Sequence, residues 1–175
     1  MNEILSILKI AEDTVVDGPG FRTAIYAAGC ENACPGCHNP GSWDIQNGTR
    51  MSLNDILAVI KTNDMENVTF TGGDPMLQAH SFTALAKRIK QETGKDIWCY
   101  TGYTYEFIAR TPRMSQLLPY IDVLVDGRFI ESLKDENLLF RGSSNQRLID
   151  IKESLRSGKV RELVYSPYPE LPMVV

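Results

Sequence analysis

Three cysteines, Cys30, Cys34 and Cys37, fall in one short stretch directly after the apolar run from Phe21 to Ala28. Thiolates are soft ligands that suit zinc and iron–sulfur clusters. At separations of four and three residues they can converge on one side of a small loop. A cubane cluster has four irons, and protein thiolates usually hold all of them. Three thiolates leave one iron open, and an open position separates reactive metal centres from structural ones. A structural zinc held by Cys30, Cys34, Cys37 and His38 is the competing reading. Structural zinc is usually held by two separated ligand pairs that staple two chain segments. Here all four candidates cluster between residues 30 and 38 and no second pair follows. The spacing favours an open iron–sulfur cluster, with zinc or plain thiols as alternatives. The fourth cysteine, Cys99, lies within a strand-like apolar run and reads as a buried core thiol.

A second chemical segment is Thr71-Gly72-Gly73-Asp74-Pro75. Two glycines at a strand end let the backbone approach a ligand closely. Asp74 adds an acceptor suited to an ammonium group, and Pro75 restricts the local φ. The same residues also make an ordinary turn. Their weight comes from following the cysteine loop by one strand–helix unit. Asp17-Gly-Pro-Gly20 suits a type II turn with Gly20 at its third position. Arg22 then reads either as a partner for a carboxylate near the site or as an exposed arginine.

These residues must be positioned by regular elements. Leu53, Ile56, Leu57 and Ile60 repeat on one helical face behind the N-cap Ser52, with Asp55 in the first turn. A strand over 67–71 follows, stopped by Gly72-Gly73. Phe82, Leu85, Ala86 and Ile89 mark a second helix closed by Gly94. A strand over 96–101, a helix over 104–118 interrupted at Pro112, and a strand over 121–125 complete the pattern. Such alternation predicts parallel βαβ units. A closed eight-unit barrel takes about 250 residues, more than this chain of 175 offers. The expected fold is therefore α/β: one domain over 1–175 built as a partial, open (β/α) barrel, parallel strands with outer helices. Its core spans about 15–150, with a C-terminal extension over 151–175. Ligands bind at the carboxyl ends of parallel strands, so residues 30–37, 72–75, 101–103 and 126–127 should ring one mouth. Trp43 is expected to pack under the cysteine loop, His80 to start a helix, and Tyr100, Tyr103 and Tyr105 to serve as core and rim. Residues 131–137 are expected to be solvated, and the proline-rich tail after Tyr165 to be extended.

Hydrophobic residues make up 43% of the chain and charged residues 23%, the balance of an ordinary globule. With a net charge of −4, nothing favours nucleic acid or an anionic membrane as a partner. The first residues lack the basic start and small-residue cleavage site of a signal peptide, and no apolar run approaches a membrane span. Clustered thiols in such a chain point to a reducing, cytoplasmic setting.

The cysteine spacing followed by TGGDP resembles the radical S-adenosylmethionine superfamily. The resemblance implies a [4Fe–4S] cluster on Cys30, Cys34 and Cys37. Its open iron would chelate S-adenosylmethionine, with Gly72, Gly73, Asp74 and Pro75 facing the methionine part and Gly36, Cys37 and His38 lining the cofactor. Two positions depart from the superfamily pattern: Gly36 stands where an aromatic residue usually touches the adenine, and Asp74 where a glutamate is usual. The segments DGPGFR, CHNPGSW, WCYTGY, DVLVDGRF and RGSSNQR are similar to activating enzymes of glycyl radical enzymes, and most specifically to activators of the anaerobic ribonucleoside-triphosphate reductase. The similarity runs from about Asp17 to Arg147. It implies reductive cleavage of S-adenosylmethionine to a 5′-deoxyadenosyl radical, which takes a hydrogen atom from a backbone glycine of the reductase. The cofactor carries that chemistry, and no general acid or base is required. The implied partners are the large subunit of the reductase and an electron donor such as flavodoxin or ferredoxin. Alternatives are an activator of the pyruvate formate-lyase type, a radical enzyme acting on a small molecule, and a non-enzymatic electron carrier or zinc-stapled adaptor. The resemblance also raises a monovalent cation near Thr101 and Asp126. The segment 142–147 either touches the cofactor or partner or closes the fold.

Overall fold

The computed structural model describes residues 3–165, so the tail expected to be extended lies outside the described residues. Four parallel strands form the centre: β2 (Arg22–Ala27), β4 (Asn67–Gly72), β5 (Ile97–Tyr100) and β6 (Val123–Asp126). Antiparallel strands extend both edges. On one side stand β1 (Ile4–Thr14) and β3 (Thr49–Ser52), and on the other β7 (Arg147–Asp150). The order β3-β1-β2-β4-β5-β6-β7 runs from edge to edge without closing.

The helices form for the reasons their sequence suggests. Helix α1 (Leu53–Ile60) starts where the Ser52 hydroxyl accepts the Asp55 N–H at 3.2 Å, and it buries Leu53, Ile56, Leu57 and Ile60. Each such side chain contributes roughly 2 kcal/mol of apolar burial. Helix α2 (Ala79–Glu92) buries Phe82, Leu85, Ala86 and Ile89, and Gly94 turns the chain out of it at φ +70°. His80 lies in its first turn, as expected. Proline divides the next helical stretch into α3 (Tyr105–Arg110) and α4 (Pro112–Ser115). Helix α5 (Ile151–Ser157) ends at Gly158, φ +67°.

Alternation along the strands gives the sheet two unlike faces. Ile25, Val68, Phe70, Ile97, Cys99 and Leu124 meet the helices, and Phe70 packs on Phe82 with ring centroids 4.8 Å apart. The opposite face carries a smaller cluster of Trp98, Val123, Val125 and Leu148. Cys99 is thus the core thiol the sequence predicts.

Arg22 departs from the expectation that it pairs near the mouth or is exposed. It is fully buried at the start of β2, the end of the sheet away from the cysteine loop. Its guanidinium donates to Thr69 Oγ1 and Val68 O, both at 2.7 Å, pairs with Asp96, and lies 5.5 Å from the Trp98 ring centre. Residues 131–137 are exposed, as expected. Among the described residues no helix is long and apolar enough to cross a membrane.

Candidate iron–sulfur and cofactor site

The cysteine loop begins where β2 runs out. Gly29 N–H donates to Ser42 O at 2.8 Å, and Cys30 N–H to Trp43 O at 3.0 Å. These bonds staple the loop to the short helical turn Pro40–Ser42. Ala33 (φ +44°) and Gly36 (φ +74°) reverse the chain, and Cys37 N–H closes on Cys34 O at 3.1 Å. Cys30, Cys34 and Cys37 end half-buried and unpaired, all lining one open cavity of about 480 Å³. Trp43 holds Cys30 through its carbonyl. The residue is 37% exposed and lines the cavity, so it is not buried beneath the loop.

The neighbouring strand ends complete the cavity. Gly72 has φ +98°, and a Cβ there would come within 2.6 Å of Ala27 N. A Cβ at Gly73 would stand 2.9 Å from Ser42 O and nearer still to Gly29 O. Gly73 N–H donates to Ala27 O at 2.7 Å, and Asp74 N–H to Gly29 O at 2.8 Å. Both glycines therefore let two strand ends meet, besides lining the cavity. Thr101, Gly102 and Gly127 line the same space, so the predicted ring of strand ends is present.

Of the nine residues the sequence assigns to the site, Cys30, Cys34, Cys37, His38, Gly72 and Gly73 face the cavity. Gly36, Asp74 and Pro75 are not among its lining residues. Gly36 instead sits against the Glu131 side chain. Asp74 is 1% exposed, behind the wall. Its Oδ1 accepts Met76 N–H at 3.0 Å and Thr101 Oγ1–H at 2.9 Å, while Oδ2 accepts Asn32 Nδ2–H at 2.8 Å and Gly102 N–H at 3.0 Å. Burial pushes this carboxyl up to about 6, and the four donors oppose the rise. The oxygens expected to meet an ammonium group are met here by the chain itself.

Asp126 is equally enclosed. Its oxygens accept Tyr105 N–H at 2.8 Å and Arg147 Nε–H and Nη2–H at 3.0 and 2.5 Å, so its charge is already met by an arginine. Segment 142–147 both ties the chain together and faces the cavity: Gln146 Nε2 donates to Gly127 O at 2.9 Å while Oε1 accepts Gly142 N–H at 2.8 Å, and Gly142 and Gln146 line the cavity.

Much of the far wall carries no motif of its own in the sequence. Tyr26 donates to Asp17 at 3.0 Å, and burial pushes its phenol up to about 12. Among the described residues, Tyr100 OH and Arg141 Nε are buried without hydrogen-bond partners, and both residues line the cavity. Phe140, beside Arg141, has φ +59°, a strained value for an aromatic residue and a mark of a functional or tightly fixed loop. Asn32, between the first two cysteines, likewise carries no such signal.

The donor set can be tested against metal. One zinc at about 2.3 Å from each sulfur requires the sulfurs to crowd together. Among the described residues, no three His, Cys, Asp or Glu side chains are gathered to hold a single ion. In a cubane each thiolate binds a different iron, and three thiols lining one cavity suit such a cluster.

The family described as "4Fe-4S single cluster domain" matches residues 16–149. The chain is similar to the anaerobic ribonucleoside-triphosphate reductase-activating protein of Haemophilus influenzae, 35% identical over 152 residues that cover 81% of this chain and 96% of the relative. The protein of the same name from Vibrio cholerae is 40% identical, covering 75% and 89%. That of enterobacteria phage T4 is 34% identical, covering 76% and 86%.

Proposed function

We infer that this chain, which belongs to the family of anaerobic ribonucleoside-triphosphate reductase-activating proteins and carries a 4Fe-4S single cluster domain, activates that reductase by generating a glycyl radical on it. The observation that carries the reading is the convergence of Cys30, Cys34, Cys37, Gly72 and Gly73 on one cavity at the carboxyl ends of parallel strands. Cys30, Cys34 and Cys37 would hold the [4Fe–4S] cluster, and the cavity beside them would take S-adenosylmethionine. When bound, these groups supply the electron, the S–C bond cleavage and the hydrogen-atom abstraction.

The chain's own residues bind and orient. The Gly72-Gly73 backbone would meet the methionine end of the cofactor, and His38 would line it beside Cys37. Gly36, Asp74 and Pro75 shape these segments from behind. The fold serves as a partial (β/α) barrel of the radical S-adenosylmethionine type, a single domain with its mouth open. A reductase subunit delivering a glycine-bearing loop would cover that mouth and exclude water from the reacting atoms. A small-molecule enzyme would need a lid of its own. The electron comes from a cytoplasmic carrier such as flavodoxin or ferredoxin.

The test is anaerobic reconstitution followed by electron paramagnetic resonance with the reductase, reductant and S-adenosylmethionine. A glycyl radical on the reductase should require all of them. Turnover of a small metabolite without any radical on the reductase would overturn the reading.

A further inference from the structure

One side chain beside the cysteines is held more firmly than a loop residue needs to be. Asn32 is 9% exposed, although it lies in a loop whose neighbours Glu31 and Ala33 face solvent. Its carboxamide nitrogen donates to Asp74 Oδ2 at 2.8 Å and lies 3.7 Å from Cys30 Sγ, within reach of a sulfur acceptor. Amide orientation is often ambiguous. Here a carboxylate, which only accepts at neutral pH, must face the NH₂ side. That leaves the second N–H for the sulfur. Two contacts fix the carboxamide, the Asp74 bond and the packing of Gly102. Asp74 is itself locked by Thr101 and Gly102. The Gly102 Cα packs so closely that a Cβ there would lie 2.5 Å from Asn32 Cγ. The Arg128 guanidinium holds the backbone carbonyl of Asn32 and so anchors the loop from which the side chain projects.

Hydrogen bonds to cluster sulfurs are among the factors that set a cluster's reduction potential, and residues orienting first ligands tune a metal site. A donor to a thiolate withdraws charge from it. It thereby favours the more negative, reduced cluster, the form that must deliver the electron. We propose that Asn32 is a tuning residue of the cluster, donating to Cys30 Sγ, and that Asp74 is the positioning residue that aims it. In this arrangement Asp74 acts on the cluster through Asn32 from behind the cavity wall.

The inference rests on the cluster assignment under Proposed function, and the experiment separates the two. The full-length holoprotein is reconstituted anaerobically and its midpoint potential measured by titration followed by electron paramagnetic resonance. The variants are Asn32→Leu, which keeps the volume and removes the donor, and Asp74→Asn. Iron content is measured throughout. At the potential that half-reduces the parent, Asn32→Leu should hold roughly a fivefold to tenfold lower ratio of reduced to oxidised cluster, the scale of one hydrogen bond. Asp74→Asn should shift the same way by less, and the double variant should fall short of additive because both act on one contact. A second measurement needs no variant. Transfer of the parent to D₂O should move the iron–thiolate stretching bands in resonance Raman spectra, and Asn32→Leu should reduce that isotope shift. If the parent binds zinc or no cluster, the function reading fails. If the parent cluster forms but Asn32→Leu keeps its potential and its isotope shift, the tuning role is refuted while the function reading stands. If Asn32→Leu takes up less iron, the isotope shift is read on its residual cluster, and an unchanged shift there would reduce Asn32 to a loop-packing residue and overturn the proposal equally.

Discussion

Gly73→Ala isolates how tightly the cysteine loop is seated. The φ of Gly73 lies outside the left-handed region, so alanine meets no conformational penalty there. Its Cβ would, however, stand 2.9 Å from Ser42 O and from Gly29 C, and nearer to Gly29 O, where ordinary contact begins at 3.4 Å. All three atoms are backbone, held by Gly29 N–H to Ser42 O and Asp74 N–H to Gly29 O at 2.8 Å each. Two strand-end segments must part by at least half an ångström. Overpacking of this kind costs about 1–3 kcal/mol. For a domain of this size each kcal/mol lowers Tm by about 2–4 °C, so a loss of roughly 4–8 °C is the central expectation. Gly94→Ala is the control. There φ is +70° with nothing within 4 Å, so its cost of about 1–2 kcal/mol is purely conformational. The two variants separate in cluster uptake. Gly29 precedes Cys30, so Gly73→Ala should lower iron per chain after reconstitution while Gly94→Ala should not. Thermal unfolding by circular dichroism and iron analysis read both effects. A Gly73→Ala protein that melts within about a degree of the parent and takes up iron equally would refute the packing reasoning.

The remaining expectations follow from burial. Cys30→Ala, Cys34→Ala and Cys37→Ala should each abolish the four-iron spectrum, while Cys99→Ala, on the helix-covered face, should keep it, as optical and iron assays would reveal. Burial raises the Asp74 carboxyl to about 6 from an unfolded value of about 3.9. The folded chain thus binds the extra proton, and its contribution to stability is present below pH 4 and lost as pH rises through 6. The change is about 3 kcal/mol. Urea midpoints of the cluster-free chain should therefore move in favour of Asp74→Asn, relative to the parent, between pH 4 and 7; a constant difference would count against the buried carboxylate. Arg22→Ala removes a fully buried guanidinium and leaves Thr69 and Val68 O without their donor, so it should destabilise by roughly 2–4 kcal/mol in the same urea assay.

What was legible in the sequence was local. Helix α1 announced itself through an N-cap and a helical face, and Gly94 and Pro112 punctuated the chain where they stood. The cysteine loop, the Gly72-Gly73 strand end and the strand before each were readable because their signals lie within a few residues. The edge strands were not. In β1 the buried Leu5 and Ile7 alternate with Ile4, Ser6 and Leu8, and so many apolar residues obscure the period of two. Strand β7 is four residues long, too short for any pattern, and is defined by its pairing with β6.

The site divides the same way. Residue types foretold three thiols at a cavity, but not which side of its wall a carboxylate would occupy. Asp74 was read from its own motif as a ligand-facing acceptor. Its surroundings come from Asn32, 42 residues earlier, and from Thr101 and Gly102, 27 and 28 residues later. No window along the chain contains all four. Arg22 was misplaced for the same reason, since its partner Asp96 lies 74 residues away. Ligation by short spacing can be inferred from a list of residues, because geometry constrains it within one loop. The orientation of those ligands is set by contacts between strand ends, which exist only once the parallel sheet has brought four distant segments to one edge.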